Sequence, residues 1–164
     1  MRKLPEEVRA EEGRALARLG DGGWDPVVQA GLRAGRLDDE LVEAALGLLR
    51  DWRAPVAWVA AVPSRRAGDP VADFARRLAA AAGLAYAPLV ERAADRPPQR
   101  EMANSAQQVA NVRGAFAITG TPPAGGGLLV DDLRFSGWTL AMVAGQLRRR
   151  GAPAVYPLAL ATAY

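Results

Sequence analysis

Apolar positions follow two different patterns along this chain of 164 residues. Short, dense apolar runs typical of buried strands occupy Val56 to Val62, Leu128 to Val130 and Ala154 to Leu160. Between them, residues 71–82 and 139–150 carry apolar side chains at helical spacing. This alternation of strands and helices predicts an α/β fold, with a mainly parallel sheet flanked by helices.

The N-terminal third of the chain has the apolar spacing and the end signals of helices. Pro5 and the two acids after it make a favourable first helical turn, and apolar residues continue from it as far as Leu19. Asp38 is a candidate N-cap for a longer apolar stripe. We therefore predict a helical N-terminal hood in residues 1–53 and an α/β domain in residues 54–164.

The middle of the chain is polar and broken by prolines. Residues 91–100 are predicted to form a loop, which carries Arg92, Arg96 and Arg100. A short strand is expected before it, at residues 86–90. A helix over residues 105–111 and a strand fragment from Ala115 to Ile118 are expected after it.

The composition excludes several kinds of catalysis. The chain contains no cysteine and no histidine, so disulfides, thiol nucleophiles, histidine bases and histidine metal ligands are all ruled out. Its net charge of +3 is too small to predict a broad nucleic-acid surface. The remaining groups are carboxylates, hydroxyls, arginines and backbone amides, which suffice for a reaction that depends on positioning and charge stabilisation.

Three of the tryptophans are expected in the core rather than in a base-stacking platform. Stacking platforms need exposed aromatic rings interleaved with cations. Trp58 lies within an apolar strand pattern and Trp52 ends an apolar helical stripe, so neither fits that description. Trp24 is assigned to the core with them.

The strongest functional signal follows the apolar run at residues 128–130. Two carboxylates, Asp131 and Asp132, are followed by a turn containing Ser136 and Gly137, and then by the start of a helix near Thr139. Ligands of open α/β sheets bind at the carboxyl ends of strands, and free amides at a helix start attract phosphate. Carboxylates can bind sugar hydroxyls and the backbone amides beside them can bind an anion, so the pattern suggests a sugar phosphate as the ligand.

This pattern resembles the phosphoribosyl-pyrophosphate motif of type I phosphoribosyltransferases: apolar residues, two acids, a spacer, then Thr/Ser-Gly-x-Thr. Residues 107–116 resemble the segment that precedes this motif in ComF-type competence proteins. Together with Glu12 to Leu16 and Val62 to Arg65, the chain resembles most the phosphoribosyltransferase-like C-terminal domain of bacterial RecQ-type DNA helicases.

The resemblance implies a role for each part of the motif. Asp131 and Asp132 would meet the two ribose hydroxyls, near a magnesium ion carried with the pyrophosphate. The loop that would bind the 5′-phosphate consists of Arg134, Phe135, Ser136, Gly137, Trp138 and Thr139. Trp138 replaces a small residue of the family pattern, and its indole would pack in the core, stack on a ligand or fill the phosphate site.

A second loop matches the family's pyrophosphate loop by its place after the first sheet strand. Its candidate ligand-binding residues are Ser64, Arg65 and Arg66, because guanidinium groups suit diphosphate oxygens. In the implied reaction, a nitrogen nucleophile displaces pyrophosphate at the anomeric carbon of the ribose. The acceptor is open, and no residue is assigned as catalytic.

Two further hypotheses compete with an active transferase domain of a helicase. One is a non-catalytic module that keeps the fold and contacts DNA or a protein; the other is a small transferase that acts alone. The expected partners are a phosphorylated sugar or nucleotide and, through a parent helicase, DNA. The chain has neither a secretory signal nor an apolar run of membrane-spanning length, which predicts a cytoplasmic protein without membrane contact. The sequence leaves the oligomeric state open.

Overall fold

The computed structural model describes residues 4–93 and 115–163. In these residues the strands are β1 (Arg14–Arg18), β2 (Val56–Ala61), β3 (Ala85–Tyr86), β4 (Val90–Arg92), β5 (Phe116–Ile118), β6 (Gly126–Arg134) and β7 (Val155–Thr162). The helices are α1 (Asp25–Ala34), α2 (Asp39–Trp52), α3 (Pro70–Ala82) and α4 (Trp138–Arg149), preceded by a 3₁₀ turn at Glu6–Val8.

Five strands form a parallel sheet in the order β1–β7–β6–β2–β3. This sheet, with helices on both faces, confirms the predicted α/β class. The sequence placed the three longest strands and the helices α3 and α4 correctly to within a few residues. The order puts β6 in the middle of the sheet, so the loops after β6 and β2 emerge side by side at its carboxyl edge.

The helix predicted from Pro5 to Leu19 is wrong. Only Glu6–Val8 forms a helical turn, and Arg14–Arg18 is the edge strand β1, which pairs in parallel with β7. The apolar residues of this segment suit either structure locally. The exposed backbone of β7 decides between them, since β1 satisfies its free edge with ladder hydrogen bonds. The boundary predicted at residue 53 stays a prediction, although the sheet takes a strand from each side of it.

A separate two-stranded antiparallel ribbon consists of β4 and β5. The strand expected at residues 86–90 is therefore two short strands in different sheets. Arg92, expected in a loop, lies at the end of β4. The remainder of that predicted loop and the helix expected at residues 105–111 fall outside the described residues.

The core consists of two apolar layers on opposite faces of the sheet. One layer packs β2, β6 and β7 against α1, α2 and α3, and the other packs them against α4 and the β4–β5 ribbon. Trp58 anchors the second layer: it is fully buried, and its Nε1 donates to the Gly125 carbonyl at 2.9 Å. Gly127 leaves room for it, because a Cβ there would lie 2.2 Å from the indole ring.

The other tryptophans differ in burial. Trp52 is half-buried and meets Tyr156 edge to face, with 5.9 Å between ring centroids. Trp24 is 36% exposed, which contradicts its expected place in the core. No helix within residues 4–93 or 115–163 has the length and apolar character needed to cross a membrane.

Candidate functional site

The acidic doublet lies inside β6, where the strand continues past its neighbour. The ladder between β2 and β6 ends at Ala61 and Val130, whereas β6 continues along β7 as far as Arg134. The strand thus extends four residues beyond the carboxyl end of the apolar run that predicted it. Since β2 turns away at this point, one side of the doublet is left open at the carboxyl edge of the sheet, the usual place for ligands in such folds.

Asp131 is a buried carboxylate, with 8% of the residue exposed. Its Oδ1 accepts a hydrogen bond from the Asp132 amide at 2.8 Å. Burial raises the pKa of Asp131 well above its ordinary value, the adjacent Asp132 carboxylate raises this pKa further, and the more distant Arg92 guanidinium lowers it. Loss of solvation is the main cause, so Asp131 holds its proton more strongly than a surface aspartate.

Asp132 is half-buried and faces the loop after β2. Its Oδ1 accepts a hydrogen bond from the Leu133 amide at 2.6 Å, and its Oδ2 lies 4.0 Å from Nε of Arg66. The structure thus brings Asp132 of the acidic doublet and Arg66 of the arginine-containing loop together. The two carboxylates differ in environment, because one is buried and the other is partly solvated beside a cation.

A cavity of about 70 Å³ lies between Asp131 and the loop after β6. Its lining residues are Asp131, Leu133, Arg134, Phe135, Ser136, Gly137, Thr139 and Leu140. A cavity needs a volume of about 10–15 Å³ to hold one water molecule, so this cavity is large enough for an anion bigger than water. Trp138 is half-buried and does not line this cavity, so its indole does not fill it. Phe135, at the rim, is 62% exposed.

Gly137 sets the shape of the loop before α4. Its φ is +81°, a left-handed conformation that favours glycine. A Cβ there would lie 3.0 Å from Nε of Arg134, so the missing side chain also lets the guanidinium lie across the turn. The Ser136 hydroxyl accepts a hydrogen bond from the Trp138 amide at 3.3 Å. The turn therefore directs the start of α4 towards the cavity that Asp131 lines.

The loop after β2 is held in shape by Asp69, a residue that the sequence analysis did not single out. Its Oδ1 accepts from the Ser64 amide at 3.2 Å and, as the N-cap of α3, from the Ala72 amide at 3.1 Å. The Ser64 hydroxyl in turn accepts from the Arg66 amide at 3.1 Å. The aspartate before Pro70 is a helix N-cap signal that could have identified this residue.

Arg92 is the second residue that the sequence analysis undervalued. Its Nη2 donates to the Pro63 carbonyl at 2.7 Å, and its guanidinium lies 5.0 Å from the centre of the Phe116 ring. Burial lowers the pKa of Arg92, and the nearby Arg65 lowers it further, while Asp131 acts in the opposite direction. These contacts connect the β4–β5 ribbon to the loop after β2. No local sequence signal could show them, because Pro63 is 29 residues away.

Part of the predicted loop at residues 91–100, with Arg96 and Arg100, lies outside the described residues. The polar residues near it that could orient the loop, Gln99, Asn104, Gln107 and Asn111, lie outside them as well. Within residues 4–93 and 115–163, no group of three or more acidic side chains comes together that could hold a metal ion alone.

Comparison with known proteins finds solved structures with a similar fold, but no family or curated protein with a matching sequence. No family model and no curated protein matches the sequence. Solved structures do match, among them one described as the crystal structure of adenine phosphoribosyltransferase. It superposes with a TM-score of 0.50 at 19% identity, over 76% of this chain and 71% of that chain.

This likeness shows the fold of the chain. The five-stranded parallel sheet with flanking helices is that of a type I phosphoribosyltransferase-like α/β domain. The acidic doublet and the loop before α4 lie at the carboxyl ends of its strands. Because fold alone does not determine chemistry, the function has to be argued from the geometry of this site.

Proposed function

We propose that this chain binds phosphoribosyl pyrophosphate, or a related nucleotide 5′-phosphate, at the carboxyl ends of β6 and β2. The observation that carries the proposal is the 70 Å³ cavity, which Asp131 shares with the glycine turn and the start of α4. A hydrogen-bond acceptor for sugar hydroxyls and a cradle for an anion are thus within one small enclosure.

The doublet supplies the sugar contacts in this proposal. Ionised carboxylates accept hydrogen bonds strongly, so Asp131 and Asp132 suit the two hydroxyls of a ribose. The 5′-phosphate would lie over the turn at Ser136 and Gly137, where the hydroxyls of Ser136 and Thr139 supplement the backbone amides. Gly137 keeps the approach to that backbone short, since it has no side chain.

The diphosphate would lie against the loop after β2. Arg66 already lies beside Asp132, and Arg65 is close enough to lower the pKa of Arg92. The charges of Asp131 and Asp132 act on the pKa of Arg92 in the opposite direction to Arg65. Positive charge near the doublet favours a ligand with several negative charges. Ser64 and its neighbours are held by Asp69, so the loop is ordered before a ligand binds.

Magnesium would be bound together with the ligand. Mg²⁺ prefers oxygen ligands and retains several waters, so the carboxylates of Asp131 and Asp132 with diphosphate oxygens make a suitable set. When bound, it would neutralise charge on the leaving diphosphate. The protein's own part in a transfer reaction would be to hold the ribose and the leaving group in line with a nitrogen nucleophile.

Calorimetric titration tests the proposal. Folded wild-type protein is titrated with phosphoribosyl pyrophosphate and Mg²⁺, and the double variant Asp131→Asn/Asp132→Asn is titrated in parallel. We expect saturable heat from the wild type. The affinity of the variant should be at least about tenfold weaker, because an asparagine side chain cannot make the charge-assisted hydrogen bond that each carboxylate makes. Glu40→Gln on α2 is the control and should bind as the wild type does.

Absence of binding to wild-type protein that is folded by circular dichroism would reject the proposal. The fold would then serve the alternative role of a non-catalytic interaction module. That role predicts salt-dependent association with duplex or single-stranded DNA, or with a protein partner. Turnover is a separate measurement: release of pyrophosphate in the presence of candidate nitrogen acceptors distinguishes a transferase from a binding domain.

We also propose a biological setting, an accessory C-terminal domain of a cytoplasmic RecQ-type DNA helicase. Its support is the sequence resemblance at Glu12 to Leu16, Val62 to Arg65 and residues 107–116. The length of the parent gene product tests it directly. A gene that encodes a helicase before this segment agrees with the proposal, and a gene that ends with this domain alone favours an independent transferase.

A further inference from the structure

A second and larger cavity adjoins the phosphate cavity. Its volume is about 400 Å³, within the range of sites that hold small-molecule ligands. It is lined by Ala10, Glu11, Glu12, Gly13, Arg14, Arg134, Gly137, Leu140, Ala141 and Pro157. The proposed binding of phosphoribosyl pyrophosphate makes no use of this space.

The two cavities follow one another along the loop after β6. Asp131 lines only the first cavity, and the glutamates of the N-terminal segment line only the second. Arg134, Gly137 and Leu140 line both. Along the loop after β6 there follow in order Asp131, proposed to bind a ribose, then the turn at Ser136 and Gly137, proposed to bind the 5′-phosphate, and then the second cavity. A group attached to the far side of a 5′-phosphate would point into the second cavity.

The outer wall of this cavity is anchored to the rest of the molecule. The Glu11 amide donates to the Val155 carbonyl at 2.9 Å, and Nη1 of Arg148 donates to the Arg9 carbonyl at 2.7 Å. Gly13 lies against β7 so closely that a Cβ would be 2.9 Å from the Pro157 carbonyl oxygen. The wall is therefore formed by a fixed segment, and the cavity is a lasting feature of the fold.

The charges around the cavity indicate the chemistry of its occupant. Arg134 lies at the boundary between the cavities, where it can meet the oxygens of a second phosphate. Glu11 and Glu12 line only this second cavity, at its exposed outer wall, and offer carboxylates, which repel phosphate and accept hydrogen bonds from hydroxyls or amines. Arg14 lies 3.6 Å from Glu12 and stacks on Trp52. A diphosphate followed by a hydroxyl-rich group matches this sequence of charges.

We propose that the second cavity receives a sugar or nucleoside, joined through a diphosphate to the nucleotide whose 5′-phosphate lies in the first cavity. The physiological ligand is then a dinucleotide or a nucleotide sugar, with one ribose at Asp131 and the other polar group at Glu11 and Glu12. This inference rests on the proposed binding of a 5′-phosphate at the first cavity.

Three related ligands test the inference by calorimetry: AMP, ADP and ADP-ribose, each with Mg²⁺. AMP places only its 5′-phosphate in the first cavity, ADP adds the second phosphate, and ADP-ribose adds a ribose beyond it. We expect ADP-ribose to bind at least about tenfold more tightly than AMP, and more tightly than ADP. Ala141→Phe narrows only the second cavity, and should remove this advantage while the affinity for AMP stays unchanged.

A second variant covers the case that Ala141→Phe disturbs α4. Glu11→Gln/Glu12→Gln changes two exposed side chains, and should lower the affinity for ADP-ribose but not for AMP, with Glu40→Gln as the matched control. If AMP binds and ADP-ribose binds no better, or if ADP matches ADP-ribose, the inference is overturned while the proposed function stands. If neither AMP nor phosphoribosyl pyrophosphate binds, the proposed function fails, and the inference fails with it.

Discussion

Asp131 is the residue at which burial lowers stability beside the cavity proposed to bind the ligand. A carboxylate that is 8% exposed loses most of its hydration on folding, and its neighbour is a second acid rather than a cation. The cost appears as a raised pKa, because the folded state keeps the proton to a higher pH than the unfolded chain does. Buried acids beside a cavity are common at functional sites for this reason.

Replacing Asp131 with asparagine should stabilise the domain at neutral pH. The raised pKa of Asp131 makes the free energy of unfolding fall as pH rises from about 4 through the folded-state pKa. Asp131→Asn removes this fall, so we expect its free energy of unfolding at pH 7 to exceed that of the wild type by on the order of 1 kcal/mol. Urea titrations at several pH values between 4 and 8 measure the difference.

Asp132→Asn serves as the comparison for that experiment. Asp132 is more exposed and lies beside Arg66, so its replacement should not give the same gain at neutral pH. Parallel pH profiles for the wild type and Asp131→Asn would show that burial of this carboxylate costs nothing, contrary to the expectation.

Gly137 is the residue whose replacement should most directly damage the turn before α4, which is proposed to bind phosphate. Gly137→Ala places a Cβ at a φ of +81° and within 3.0 Å of the Arg134 guanidinium. We expect a loss of about 1–2 kcal/mol in the free energy of unfolding and weaker binding of ribose 5-phosphate. Chemical denaturation and calorimetry measure the two effects.

Gly47→Ala is the matched control for Gly137→Ala. Gly47 lies within α2, and a Cβ there would meet no other atom within 4 Å. Alanine in a helix interior is better than glycine by roughly 0.5–1 kcal/mol, so this variant should be more stable than the wild type. Equal effects at both positions would mean that the turn has no special need for glycine.

At the scale of elements, the site depends on the connection between the β4–β5 ribbon and the loop after β2. Arg92 makes this connection through the Pro63 carbonyl at one end and the Phe116 ring at the other. The ribbon packs on the same face of the sheet as α4. Movement of the ribbon would therefore change the position of the loop proposed to bind diphosphate.

Arg92→Met should weaken the binding of diphosphate ligands selectively. The variant keeps an apolar side chain against Phe116 but loses the hydrogen bond to Pro63 and one positive charge. We expect an affinity for pyrophosphate lower by about tenfold, because a charged hydrogen bond contributes roughly 1.5–3 kcal/mol. The affinity for ribose 5-phosphate should change little, and calorimetry with the two ligands measures both.

Arg76→Met is the control for this variant. Arg76 also lies over an aromatic ring, at 5.7 Å from the centre of Tyr86, but it is on α3 rather than on the ribbon. Its replacement should leave both affinities unchanged. If Arg92→Met weakens ribose 5-phosphate as much as pyrophosphate, Arg92 supports the whole site rather than the diphosphate loop.

At the scale of the whole molecule, the N-terminal segment completes the sheet. β1 covers the edge of β7 along four paired positions, and Arg148 holds the segment before it against α4. The same segment forms one wall of the larger cavity. Residues 4–53 therefore contribute a strand to the sheet and a wall to the larger cavity, as well as forming helices.

A fragment of residues 54–164 should fold poorly in isolation. Removing residues 1–53 uncovers the edge of β7 and the apolar face that α1 and α2 cover. We expect the fragment to aggregate, which light scattering measures, or to unfold on heating without a cooperative transition, which circular dichroism measures. A monomeric fragment with a sharp unfolding transition would instead support residue 53 as an independent domain boundary.

The sequence by itself determined the elements that local pattern can specify. The apolar runs at residues 56–62 and 128–130 placed two central strands, and helical spacing placed α3 and α4. The doublet at Asp131 and its glycine turn marked the candidate site, because the chemistry of such a loop lies in consecutive residues. The parallel sheet followed from the alternation of these elements.

Only the tertiary structure decided what depends on residues far apart in the chain. Arg14–Arg18 became a strand because β7 offered it a free edge, which no local pattern reveals. The bond from Arg92 to Pro63 and the cavity beside Glu11 likewise join segments distant in sequence. Burial of Asp131, and hence its raised pKa, also arises only when the sheet, α4 and the ribbon pack together.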